Sequence, residues 1–248
     1  MKISKTAALI ALLAIITLTA FCSTTYAITG NSQPDSTPYV GVVVLFSDPA
    51  MTHPISISSG FLISPTIVLT AGHSVIGGVA ACVCFDQGPI TYSIDETGKI
   101  HYNTNQPIYS GVPIPFPTYL ASIVAGAKDS KLLQTSDVGI ITLNTPVQEV
   151  KRYPALSTPG LADTLPVKTA LQVIGYGVQN PSKGHDLFPI SGSISRNSAI
   201  VNLLSTNFQG SGNYIKCTAN AAQAKVELRT ATQVDQCYTT TAKPPFWL

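Results

Sequence analysis

Two side chains in this chain are placed for proton chemistry, His73 and Asp137, and each sits at the edge of an apolar run. His73 closes the stretch Ser59-Gly60-Phe61-Leu62-Ile63-Ser64-Pro65-Thr66-Ile67-Val68-Leu69-Thr70-Ala71-Gly72-His73, so a strand delivers an imidazole at its end, just after Thr-Ala-Gly. An imidazole titrates near neutrality and can take a proton and return it. Asp137 opens the run Val138 to Leu143 (VGIITL). A carboxylate buried against an imidazole accepts a hydrogen bond from one ring nitrogen and stabilises the imidazolium that forms when the other takes a proton. Taken singly, a histidine of this kind is a surface or packing residue and the aspartate a turn residue.

The elements that must position them are short strands. Tyr39 to Phe46 is a β-branched run and reads as a buried strand. Ile55 to Ile63 follows as a second strand, Ser64-Pro65 makes a turn, and Thr66 to Thr70 is a third. Ala80 to Phe85 and Ile90 to Ile94 flank a Gly88-Pro89 turn. Val138 to Leu143, Leu171 to Tyr176 and Ser198 to Leu204 are further buried-strand patterns. Residues 99–119 carry Pro107, Pro113, Pro115 and Pro117, which predicts a surface loop or an edge, because proline lacks a backbone donor. After the N-terminal region no helical pattern of useful length is present. Many short strands separated by turns predict an all-β sandwich or barrel.

Composition sets the compartment. The 248 residues are 45% hydrophobic and 10% charged, against about 25% charged in ordinary soluble domains. Lys2 and Lys5 precede an uncharged apolar run, Ala7 to Phe21, and Thr25-Tyr26-Ala27 offers small residues for cleavage, so residues 1–27 read as a secretion signal. The run is short for a membrane span, and bulky Phe21 before Cys22 argues against a lipid anchor. Removing the signal takes two of the 14 basic residues and leaves 12 against 12 acidic ones. A nucleic-acid binder would show a basic patch, and none stands out. Residues 28–38 are polar and turn-forming, as an exposed mature N-terminus would be. Cys82, Cys84, Cys217 and Cys237 fix no disulfide pattern, and no paired ligand clusters suggest a metal.

The run ending at His73 resembles the segment around the catalytic histidine of trypsin-like (chymotrypsin-family) serine proteases, S-G-x-L-I-S-P-x-x-V-L-T-A-A/G-H. Ser136 to Leu143 resembles the family's D-[ILV]-[AG]-x-x-x-L segment around the catalytic aspartate, and Val173-Ile174-Gly175-Tyr176-Gly177 its later G-[WY]-G strand. Ile28-Thr29-Gly30 with Pro38-Tyr39-Val40-Gly41 resembles the mature start of bacterial secreted members. Histidine before aspartate is also the order of that family rather than of the α/β-hydrolases. The resemblance implies two packed antiparallel six-stranded β-barrels, the first over about residues 28–145 and the second over about 150–224, within a protease domain of residues 28–224. It implies His73 as base then acid, Asp137 orienting it, and Ile28 as an N-terminus that folds inward once the signal is cut. The substrate would be a protein or peptide, no cofactor would be needed, and the secreted product would be a monomer free of membrane and nucleic acid. Two family cysteines that bracket the histidine are replaced together, by Ser58 and Ser74, which should cost stability rather than chemistry.

The family's nucleophile motif, G-D-S-G-G-P, is absent. Ser193 and Ser211 are its nearest imitations and read as loop serines. Residues 225–248 become charged and polar, unlike the preceding chain. Joining the third base of each codon to the first two of the next across Thr230 to Tyr238 permits Gly-Asp-Ser-Gly-Gly-Pro-Val-Leu, and Lys225 to Leu228 permits Gly-Gly-Thr. A change of frame near Ala224-Lys225 is therefore expected, with the written tail aberrant, the second barrel incomplete and the product as written inactive. The rival expectations are a protease-like fold kept as a secreted protein-binding module, and a secreted structural β protein.

Overall fold

A computed structural model of the chain describes residues 32–97, 99–124, 136–176, 191–206, 215–218, 236–239 and 246–247; for 191–193, 218 and the last two stretches it gives the backbone. Strands dominate. They are β1 (Gln33–Pro34), β2 (Val40–Phe46), β3 (Pro54–Ser64), β4 (Ile67–Thr70), β5 (Ala80–Cys84), β6 (Ile90–Ile94), β7 (Ile100–Asn103) and β8 (Ile108–Pro115). Helix α1 (Pro117–Val124) follows. Then come β9 (Gly139–Leu143), β10 (Ala155–Leu156), β11 (Ala170–Gly175), β12 (Ser191–Ile194), β13 (Asn197–Ser205), β14 (Lys216–Thr218), β15 (Gln236–Thr239) and β16 (Phe246–Trp247). Among the described residues no helix is long and apolar enough to cross a membrane.

Six strands close an antiparallel barrel in the order β2-β3-β4-β9-β8-β5, so each has a partner on both sides over at least part of its length. The burial of β2 explains why its sequence is apolar throughout rather than alternating. Val43 and Leu45 point into the barrel with Leu62, Val68, Val83 and Ile141. On the opposite face Val40 and Val42 pack with Ile174, Tyr176 and Ile194 from the C-terminal half. Val44 and Phe46 pack with Tyr92 and Ile100 of the β6–β7 hairpin. A strand covered on both faces has no polar side to present.

The second half is a sheet ordered β1-β13-β11-β15-β16-β10, with β14 on the flank of β13. Its described strands do not close on themselves. Of the tail expected to be aberrant, Gln236–Thr239 runs antiparallel to β11 and Phe246–Trp247 runs parallel to β10. The signal segment and Ile28 lie outside the described residues.

Three expectations need correction. Of the two readings of the proline-rich stretch, a surface loop or an edge, the loop is wrong: the stretch forms β7, β8 and the start of α1. Pairing of β8 with β5 ends at Gly111, whereas pairing with β9 runs from Gly111 to Pro115. Pro113 and Pro115 thus occupy the half of the strand with one partner among the described residues, where a missing donor costs little, and Pro117 takes the first helical position, which tolerates proline. Second, a helix does follow the signal region; at eight residues, α1 is too short for a 3.6-residue period to show. Third, the polar N-terminal segment is not simply exposed. Ser32 and Asp35 are buried, and β1 pairs with β13 rather than with the barrel.

Arg196 is the reason. It is almost fully buried and donates to three backbone carbonyls: Nε to Asp35 at 3.0 Å, and one terminal nitrogen to Val40 at 2.8 Å and Phe85 at 3.1 Å. The same nitrogen donates to the Tyr176 hydroxyl at 3.1 Å, which donates in turn to the carbonyl of Asp86. The Asp35 carboxylate lies 3.6 Å from Nε and supplies the countercharge. One guanidinium therefore ties together the N-terminal segment, β2 and the residues that directly follow β5 and β11. Removing one partner of a buried charged network costs about 3–5 kcal/mol. Arg196→Met is accordingly expected to lower the unfolding free energy obtained from urea titration by an amount in that range, and a loss under about 1 kcal/mol would show the clasp to be dispensable.

Asp86 pins the adjoining turns. Burial alone would raise its pKa, but the backbone N–H of Gly88, the hydroxyl of Thr104, the N–H of Asn105 and the charge of Arg196 together hold it below the usual aspartate value. A depressed carboxylate contributes stability above its unfolded value, about pH 4, and loses it as pH falls through the lower native one. Urea midpoints measured from pH 6 down to pH 2 should fall more steeply in the parent than in Asp86→Asn; identical slopes would refute this role.

Candidate active site

The barrel brings the two predicted residues together by strand pairing. β4 and β9 are antiparallel neighbours with Thr70 opposite Gly139. His73 lies three residues beyond Thr70, on a turn in which Ser74 N–H donates to Ala71 and Val75 N–H to Gly72. Asp137 lies two residues before Gly139. One carboxylate oxygen of Asp137 accepts from the backbone N–H of His73 at 2.7 Å, and the other is 2.6 Å from His73 Nδ1. Since an ionised carboxylate only accepts, Nδ1 carries the proton in this pairing, which leaves Nε2 as the basic nitrogen of the neutral ring. Among the described residues Nε2 has no hydrogen-bond partner and is shielded from solvent, while each side chain as a whole is about a quarter exposed. An imidazole oriented at Nδ1 and unengaged at Nε2 can remove a proton from a group presented to it.

Packing behind the pair holds its geometry. Tyr119, on the buried side of α1, fills the space over Gly72: a Cβ on that glycine would lie 2.6 Å from Tyr119 Cδ1 and 3.0 Å from the carbonyl of Val138. Gly139 is equally confined, since a Cβ there would lie 2.5 Å from Val75 Cγ2. The phenol of Tyr119 is harder to ionise than usual, first because it is buried and second because the Asp137 charge is near. Tyr119 escaped sequence analysis because it lay in the stretch read as a loop; the only signal was glycine rather than alanine before His73, a hint that something large sits above that position.

The remaining predicted residues fall elsewhere. Ser58 and Ser74 are both buried, and neither hydroxyl finds a partner among the described residues. Ser193 belongs to β12, opposite Thr91 of β6; Ser211 lies outside the described residues. Cys82 and Cys84 are buried thiols on one face of β5, near the hydroxyls of Tyr102 and Thr104. Burial pushes the Cys82 thiol up to about 12 and raises Cys84 as well, so neither is an activated nucleophile. Among the described residues no cluster of three or more His, Cys, Asp or Glu could hold a metal.

If Tyr119 and Gly72 are matched in volume, Gly72→Ala should destabilise by about 1–3 kcal/mol. Tyr119→Ala should absorb most of that penalty, giving a double-mutant coupling of about 1 kcal/mol or more in urea unfolding. Additive losses would mean that the two positions do not share the space.

The trypsin family model matches residues 29–237. Among solved structures, one described as HL collagenase superposes with a TM-score of 0.50 at 12% identity, covering 77% of this chain and 72% of that one; at that identity the likeness speaks to the fold alone. No curated protein matches. The family match takes in both strand-end segments that carry His73 and Asp137: the chain belongs to the trypsin family, by family a serine endopeptidase that hydrolyses protein or peptide substrates.

Proposed function

We propose that this protein is a secreted, monomeric serine endopeptidase in which His73 and Asp137 are the base and its orienting carboxylate, and in which the nucleophilic serine is encoded in a shifted frame beyond Ala224. The observation that carries the reading is the 2.6 Å contact of His73 Nδ1 with Asp137, with Nε2 left unengaged among the described residues. In the reaction Nε2 takes the proton of the serine hydroxyl as its oxygen attacks the peptide carbonyl. The proton then passes to the leaving amine as the C–N bond breaks, leaving an acyl-enzyme. Water repeats the sequence: it gives a proton to Nε2 as its oxygen attacks the acyl carbon, and Nε2 passes that proton to the serine oxygen as the ester bond breaks and the acid leaves. Asp137 stays ionised throughout and favours the imidazolium. Backbone N–H groups beside the serine would hold the oxyanion.

The segment Lys2 to Ala27 supports export, and its removal would free Ile28 as the new N-terminus. As written, the chain has no G-D-S-G-G-P motif and is inactive in this reading. A non-catalytic binding module is less favoured, because binding alone places no demand on a histidine and an aspartate 64 residues apart to meet at both carboxylate oxygens.

The family match runs on to residue 237, past the proposed change of frame, so the codons themselves have to be read. Resequencing the gene from codon 218 through the stop should reveal one missing or extra base that restores Gly-Asp-Ser-Gly-Gly-Pro. The serine-restored chain should cleave a quenched fluorogenic peptide, and His73→Ala in that chain should lower kcat on the order of 10⁶-fold. An unchanged reading frame in both gene and transcript would remove catalysis from this chain.

A further inference from the structure

A glycine directly before a base is a liability, because its backbone turns more freely than that of any other residue. The His73 N–H that donates to Asp137 at 2.7 Å belongs to the peptide unit joining Gly72 to His73. Rotation at Gly72 therefore swings that donor and carries the imidazole with it. Tyr119 removes this freedom. Its side chain is buried, and its ring lies against the bare α-carbon of Gly72, so close that a Cβ there would meet Cδ1 at 2.6 Å and Cε1 at 3.0 Å. The same turn is backed by β9, where a Cβ on Gly139 would lie 3.0 Å from the carbonyl of Ala71. The ring is itself suspended from the strand of the aspartate. Phe116 N–H donates at 2.8 Å to the carbonyl of Val138, the residue after Asp137, and Leu120 N–H donates to Phe116 at 3.0 Å. Pro115 stands opposite Gly139 in the ladder between β8 and β9. Helix α1 thus buries Tyr119 and Ser122, shows Leu120, Ile123 and Val124 to solvent, and has its first turn fixed beside Asp137.

We infer that Tyr119 is a positioning residue of the His73–Asp137 pair: its ring, suspended from the strand of Asp137, clamps the peptide unit between Gly72 and His73 so that the histidine meets both carboxylate oxygens at once. The effect on rate rests on the proteolytic reading; the clamp on the pair does not. Tyr119 acts through Gly72 rather than on a reacting atom. No hydrogen bond joins its phenol to His73 or Asp137 among the described residues, so the ring carries the role and the hydroxyl is dispensable. The phenol nonetheless lies near enough to Asp137 for that charge, after burial, to make it harder to ionise. All of these residues precede Ala224, and the shifted frame leaves them as written. A misplacement of about 1 Å in such a site costs on the order of 10²-fold in rate. A group that orients the base without holding substrate should act on kcat rather than on KM.

Three variants separate a clamp from plain core filling: Tyr119→Ala, Tyr119→Phe, and Val147→Ala, a cut in the same core past the end of β9 remote from Asp137. In the chain as written, with its histidine nitrogens isotopically labelled, NMR follows the Nδ1 proton shared with Asp137. Its exchange with solvent should quicken about tenfold or more in Tyr119→Ala and stay within about twofold of the parent in Tyr119→Phe and Val147→Ala. In the serine-restored chain, Tyr119→Ala should lower kcat on the fluorogenic peptide about tenfold or more, with KM within about twofold of the parent. Tyr119→Phe should keep both constants, and Val147→Ala should lose unfolding free energy without losing kcat. If Tyr119→Ala does not fold, Tyr119→Leu, which keeps apolar bulk without a ring, replaces it with the same expectations. Either readout unchanged in the ring-less variant overturns the proposal. So does a Tyr119→Phe as impaired as that variant, a loss confined to KM, or an equal fall of kcat in Val147→Ala. No cleavage by the serine-restored parent overturns the proteolytic reading alone, and proton exchange then decides the clamp by itself.

Discussion

The ladder between β4 and β9 sets Thr70 opposite Gly139, and the geometry of the site descends from that register. An antiparallel pair places the end of one strand beside the start of the other, so the turn after β4 and the residue before β9 must meet. A slip of one residue would turn Val68 and Ile141 out of the barrel and Leu69 and Ile140 into it. Because Val68 and Ile141 are fully buried in a closed barrel, the register is held by the whole core. The hydrogen bonds from His73 to both oxygens of Asp137 then finish an alignment that hydrophobic packing has already made.

A second constraint lies at the junction between the barrel and the C-terminal sheet. Apolar contact there, through Val40, Val42, Ile174 and Tyr176, is not directional and would tolerate sliding. The Arg196 guanidinium is directional. Its bonds to Asp35, Val40, Phe85 and Tyr176 each require a particular atom in place. The bond from Tyr176 N–H to Ser59 Oγ at 2.8 Å adds a further tie between β11 and the strand that leads toward His73. Such a network carries its desolvation cost for specificity of arrangement rather than for stability alone.

The pair His73 and Asp137 was legible because each is announced by its own strand and because the apolar runs around them have the period and length of buried strands. The strands β2, β3, β4, β5, β6, β9, β11 and β13 were legible for the same reason, within a residue or two at their ends. The stretch around β7, β8 and α1 was not, because proline obscured it. Proline forbids a donor, but whether a donor is needed depends on which neighbours flank the strand, and among the described residues β8 has a partner on only one side at Pro113 and Pro115. Asp35 and Arg196 were unread for a related reason: a charged residue in a polar segment carries no local mark of burial, and only its partner, 161 residues away, buries it.

By itself, then, the sequence determined the all-β class, the order histidine before aspartate, the two strand ends that present them, and the absence of the serine motif, since all of these are local patterns of residue type. Tertiary structure alone decided that the two strand ends are neighbours, that Tyr119 stands over Gly72, that Arg196 closes the junction, and that α1 turns its apolar side to solvent. Each of these depends on which distant segment lies opposite, and local periodicity holds no information about the identity of the neighbour.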